Sequence, residues 1–109
     1  MAAKIDAKFP GAEKHEISLE EAKKHIQRHK KNPVPHKHNG GSFHRGIFDK
    51  ILDHPECDGI RYYYAQKEDG TPTLVLVGIN ATGADLTKGA VAEGSLPCPP
   101  YCDASSQLI

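Results

Sequence analysis

The sequence has no tryptophan, a single methionine and only three phenylalanines in 109 residues. With so few large apolar side chains the core has to be small. A chain of this length buries only about two-thirds of the surface its unfolded form exposes. The length allows one domain and excludes a large multi-substrate enzyme. No stretch approaches the ~20 apolar residues of a membrane-spanning helix. Residues 1–17 lack the apolar run of a secretory signal, so the expected compartment is the cytoplasm. Net charge is missing too, because 14 Lys and Arg offset 14 Asp and Glu. No paired carboxylates or Ser-His-Asp logic stand out, and Asp85 and Glu93 read as isolated acids. Val77–Gly83 carries neither of the glycine patterns that cradle phosphate.

What is present is unevenly placed. Between Ala22 and Phe48 there are seven Lys or Arg, no Asp or Glu, and five of the seven histidines. Lys23, Lys24, Arg28, Lys30, Lys31 and Lys37 form a candidate anion-binding set for phosphate, nucleic acid or an acidic partner. No aromatics are interleaved with them, which weighs against nucleic acid. The plainer reading is a solvated basic helix and loop balanced by acid elsewhere. His25 and His29, four apart on a helix, with His36 and His38 in the next loop, have the spacing of a second, weaker metal site.

Local signals divide the chain into an arm (1–16), one domain (17–102) and a polar tail (103–109). Ser18 and Glu21 have the capping-box spacing, with Ile17 as staple. A helix follows, with Leu19, Ala22 and Ile26 on one face, and ends before Asn32-Pro33. Residues 32–41 read as a loop. Ser42 can cap a second helix running to about Asp53, with Phe43, Ile47, Phe48, Ile51 and Leu52 on its apolar arc. His44 falls in that arc and reads as a hydrogen-bonded core histidine.

Ile60–Gln66 and Thr73–Ile79 read as a hairpin across Glu68-Asp69-Gly70. The second strand is apolar on both faces, so it should be central. Gly78 within it marks a bulge or a close backbone approach. A third strand is expected near Ala84–Thr87, followed by an irregular Gly/Pro-rich segment. The fold class is α+β, two helices on a small antiparallel sheet. Tyr62 and Tyr64 share a face with Ile60, and Tyr63 shares the other with Arg61. Packing across strands is favoured over a stacking platform. A Tyr-rich edge would be paired most simply in a homodimer.

Three segments resemble a family of small uncharacterised bacterial proteins: Cys57-Asp58-Gly59-Ile60-Arg61-Tyr62-Tyr63-Tyr64, Leu74-Val75-Leu76-Val77-Gly78 and Leu96-Pro97-Cys98-Pro99-Pro100-Tyr101-Cys102. The Ile-Ser-Leu-Glu-Glu-Ala helix start is similar as well. The Pro-Cys-Pro-Pro-Tyr-Cys element is the most specific part. The resemblance spans roughly Ser18 to Cys102. It implies a bacterial single-domain fold and carries over no activity, ligand or site residue.

The chemistry lies in the cysteines. Cys98 and Cys102 flank two prolines and a tyrosine, and in His54-Pro55-Glu56-Cys57 an imidazole and a thiol are separated by two residues. Together these four make a candidate Cys3His zinc set, in two short-spaced pairs. Cys98 and Cys102 can equally close a small disulfide, or all three thiols can stand apart. Three functional readings follow. The first is a non-enzymatic binding module, with an unknown protein partner, whose C-terminal segment is tied down by zinc or a disulfide. The second is a thiol–disulfide redox protein or sensor using Cys98 and Cys102. The third is an anion or nucleic-acid binder through residues 22–48.

Overall fold

The computed structural model describes residues 15–31 and 38–108, apart from the side chain of His29. Helix α1 (Leu19–Lys31) starts where the capping signal places it, with the Glu21 N–H donating to Ser18 Oγ at 3.1 Å. That bond satisfies one of the unpaired donors of the first turn. The apolar stripe of α1 stays half open. Leu19 is 47% exposed, and no residue of α1 belongs to the core cluster.

Gly40–Ser42 forms strand β1, not the end of a loop and a helix cap. It pairs antiparallel with β5 (Leu96–Cys98), Gly40 opposite Cys98 and Ser42 opposite Leu96. With Ser42 held in that ladder, helix α2 (Arg45–Leu52) begins three residues later. His44 takes over the cap, its Nδ1 accepting the Gly46 N–H at 2.9 Å. His44 is therefore an exposed N-cap and not a core histidine.

The hairpin is present as expected. Strands β2 (Gly59–Gln66) and β3 (Pro72–Ile79) pair along their whole length, from Gly59 opposite Ile79 to Gln66 opposite Pro72. Their turn closes through Lys67 N–H to Thr71 O at 2.9 Å, with Gly70 at φ +87°. Strand β3 is central in the order β2-β3-β4. The third strand, β4 (Val91–Ala92), lies later than Ala84–Thr87. That earlier segment makes only a single bridge, Asp85 to Ile79. The Asn80–Gly83 turn, with Asn80 Oδ1 accepting from the Thr82 and Ala84 N–H groups, returns the chain for that one pair. Gly94, at φ +103°, then redirects the chain between β4 and β5.

Directly opposite residues share a face. Ile60, Tyr62 and Tyr64 thus lie with Gly78, Leu76 and Leu74, on the side that receives α2. There Ile51, Leu76 and Ala92 form the buried cluster, flanked by Phe43, Ile47 and Phe48. The register runs unbroken through Gly78, so this glycine marks a close approach. A Cβ on it would stand 2.9 Å from Cys57 Sγ and 3.3 Å from Ile51 Cγ2. Val77 and Ile79 are buried on the opposite face. The result is an α+β arrangement of two antiparallel sheets, with α2 packed on β2 and β3.

Candidate functional site

The C-terminal element is a covalently closed loop. Pro99 and Pro100 remove two backbone donors from it. The remaining N–H groups turn inward: Tyr101 donates to Pro97 O and Cys102 to Pro100 O, each at 3.0 Å. Both prolines follow cis peptide bonds. Cys98 and Cys102 are joined as a disulfide with their Cα atoms 4.8 Å apart.

The base of the loop is fastened to distant parts of the chain. The Asn39 N–H donates to Cys98 O at 2.6 Å, extending the β1–β5 ladder. His38 Nδ1 donates to Pro99 O at 3.0 Å. Just upstream, Lys67 Nζ donates to Ser95 O at 2.9 Å, tying the entry of β5 to the hairpin turn. β1 passes close to Ser95 at Gly41, where a Cβ would overlap Ser95 Oγ and force that hydroxyl to turn away. The tip stays open: Tyr101 is 61% exposed and Cys102 is exposed.

Of the four residues in the zinc set, the structure joins Cys98 to Cys102 and leaves the other two elsewhere. Cys57 is a half-buried free thiol that donates to Gly59 O at 3.2 Å. His54 Nδ1 accepts the Glu56 N–H at 3.1 Å, and its ring lies against Gly89. Among the described residues no three His, Cys, Asp or Glu side chains gather as a metal-holding group. Zinc is ligated by thiolates, and two sulfurs bonded to each other supply none.

The basic set is spread along α1. Lys23 reaches Glu20 at 3.5 Å, while Lys24, Lys30 and Lys31 are exposed. Arg28 Nη1 donates to His25 Nδ1 at 2.9 Å. Lys37, His36 and the His29 side chain lie outside the described residues. Of the weaker histidine set, His25 is therefore engaged with Arg28 and His38 with the Pro99 carbonyl.

Sequence reasoning missed a second constellation, on the sheet face away from α2. Asp85 is not isolated. Arg61 Nη1 donates to its Oδ1 at 2.6 Å, and Tyr63 donates to its Oδ2 at 2.5 Å. Arg61 also donates to Gly83 O at 2.9 Å, which fixes the turn. Glu93 is likewise engaged, accepting from Thr73 Oγ1 at 2.9 Å and from the Gly94 N–H. The shared face of Arg61 and Tyr63 was the one available signal; Asp85 sits 24 residues from Arg61.

The Tyr63 hydrogen bond, and then the Arg61 hydrogen bond and charge, outweigh partial burial and hold the Asp85 carboxyl below its ordinary 3.8. The same bond pushes the Tyr63 hydroxyl up. A depressed folded-state pKa adds stability above the unfolded value, and that stability is lost as pH falls below it. Asp85→Asn should therefore flatten the acid limb of the stability profile below about pH 4. Near pH 7 it should cost about 1–2 kcal/mol. Urea melts of both proteins between pH 2.5 and 7 check this. Coincident profiles would mean that the carboxylate contributes nothing to folding.

A shallow, open depression of about 350 Å³ is lined by Glu56, Asp58, Asn80, Ala81 and Thr82. The Thr82 hydroxyl in it donates to Asn80 Oδ1 at 2.8 Å. No helix among the described residues is long and apolar enough to cross a membrane. No family model, curated protein or solved structure matches the chain.

Proposed function

We propose that the chain is a small non-enzymatic binding module that presents its disulfide-closed Cys98–Cys102 loop to a protein partner. One observation carries this reading. A loop fastened at its base by Asn39 and His38, and closed by a covalent bond, still holds Tyr101 largely in solvent. Ordering a loop before binding removes an entropic cost that a flexible segment would incur on contact. An exposed, rigid tyrosine is also a favoured anchor at interfaces. The open, shallow depression beside Asn80 is unlike the enclosed pockets that hold small substrates. The clip in this reading is a disulfide and not zinc. A lasting disulfide favours an oxidising compartment over the cytoplasm.

The test is affinity capture from the native host with three baits: wild type, Tyr101→Ala and the Cys98→Ser/Cys102→Ser double variant. A protein retained by wild type and lost from both variants supports the reading. Equal retention by all three would place the binding surface elsewhere. Thiol–disulfide exchange is the second reading, favoured by the exposure of Cys102. It requires that a glutathione buffer poised near the cellular potential reduce the pair, whereas a purely structural clip resists it.

A further inference from the structure

Strand β2 is an edge strand in the order β2-β3-β4, and its outer side is undefended. Lys67 N–H bonds Thr71 O, which sets the phase of the ladder. In that phase Gly59, Arg61, Tyr63 and Ala65 exchange bonds with β3. The N–H and C=O groups of Ile60, Tyr62, Tyr64 and Gln66 point outward. The far side of β3 agrees: Leu86 N–H donates to Gly78 O, so the residue opposite Ile60 also bonds away from β2. Among the described residues none of the outward backbone groups has a hydrogen-bond partner. Proline, lysine and bulges, the usual guards of a sheet edge, are all absent from β2. Its one charge, Arg61, is neutralised by Asp85.

The same strand carries the main aromatic surface. Tyr62, Tyr63 and Tyr64 are 55%, 47% and 86% exposed, and Tyr62 and Tyr64 meet edge to face with centroids 5.6 Å apart. At ~150–250 Å² per side chain, they present about 400 Å² per copy. That is about half of the ~800 Å² per partner found in stable interfaces. The strand backbone and its flanks add to it.

We infer that β2 is a dimerisation edge, paired antiparallel with the same strand of a second copy about a two-fold axis at Tyr63. A two-fold axis through the sheet keeps faces matched only when it passes through a residue, because neighbours point to opposite faces. With the axis at Tyr63, Tyr62 stands opposite the partner's Tyr64 and Ile60 opposite the partner's Gln66. Every outward N–H and C=O of the four residues is then paired. Arg61 faces the partner's Ala65, so no like charges meet. Two three-stranded sheets become one continuous sheet with aromatic pairs at its centre. This edge is independent of the Cys98–Cys102 loop, so either assignment can fail alone.

Light scattering and native mass spectrometry on the full chain should give a dimer at tens of micromolar. Tyr64→Pro removes an outward donor at a position where an edge strand tolerates proline, and Tyr62→Lys sets a charge against the aromatic pair. Both should be monomers with unchanged far-UV circular dichroism. In a Cys57→Ser background, Tyr63→Cys should cross-link two copies on oxidation, since opposed residues of a non-hydrogen-bonded pair stand ~4.5 Å apart at Cα. A monomeric wild type overturns the inference. So does a dimer that survives both edge variants, or cross-linking through Tyr62→Cys in place of Tyr63→Cys.

Discussion

Truncating Ile51 to alanine is expected to lower the unfolding free energy by about 3 kcal/mol. Ile51 is 2% exposed and is the one buried residue of α2. It fills the space above Gly78, against Leu76 and Ala92. Cutting it back leaves a void that the surroundings fill poorly, at a cost of ~2–5 kcal/mol for such substitutions. Small domains have only about 5–15 kcal/mol in total. The neighbouring Leu52 is 50% exposed and provides the control. Leu52→Ala should stay within about 0.5 kcal/mol, as surface substitutions do. Urea titrations that give both variants the same small loss would mean that α2 is not docked on the sheet.

Breaking the disulfide is expected to cost about 2 kcal/mol. The bond spans a sequence separation of 4, and loop-closure entropy for so short a ring is about 2 kcal/mol at 25 °C. The loss should fall locally. The β1–β5 ladder and the His38 contact to Pro99 depend on the loop, whereas the α2, β2 and β3 cluster does not. Hydrogen exchange in the Cys98→Ser/Cys102→Ser variant should therefore quicken at Asn39 to Ser42 and at Leu96 to Cys102, with the hairpin still protected. Reductant should shift the wild-type melt by the same amount and leave the variant's melt unmoved. A wild-type melt insensitive to reductant would show that the loop is held without the bond.

The parts of the fold legible in the sequence are those set by local rules. Ser18 and Glu21 are three apart, and the cap forms between them. The run Thr73–Ile79 is almost wholly apolar, and β3 is central with both faces covered. Gly78 interrupts that run because Cys57 and Ile51 come too close for a side chain. The parts that were not legible depend on partners far along the chain. Gly40 and Gly41 have poor strand propensity, and β1 exists only because β5 pairs with it. That pairing displaced the expected cap from Ser42 to His44. Asp85 looks solitary because Tyr63 is 22 residues away and the turn at Asn80–Gly83 brings them together.

The candidate site was half legible. The spacing of Cys98 and Cys102 offered a clip of some kind, and left metal, disulfide and free thiols open. The cysteine pair alone carries no sign of which sulfurs the fold will bring together. Cys57 instead turns its thiol to the start of β2, at Gly59 O.

Intact mass of untagged protein, purified without added metal, separates these chemistries in one experiment. Spectra would be taken under native conditions and again after denaturation without reduction. With a Cys98–Cys102 disulfide, no metal adduct appears in the native spectrum. The denatured chain is lighter than its sequence mass by one pair of thiol hydrogens, and a single alkylatable thiol remains at Cys57. A stoichiometric zinc adduct lost on denaturation, or a full-hydrogen chain with every cysteine alkylatable, would contradict the disulfide-closed loop.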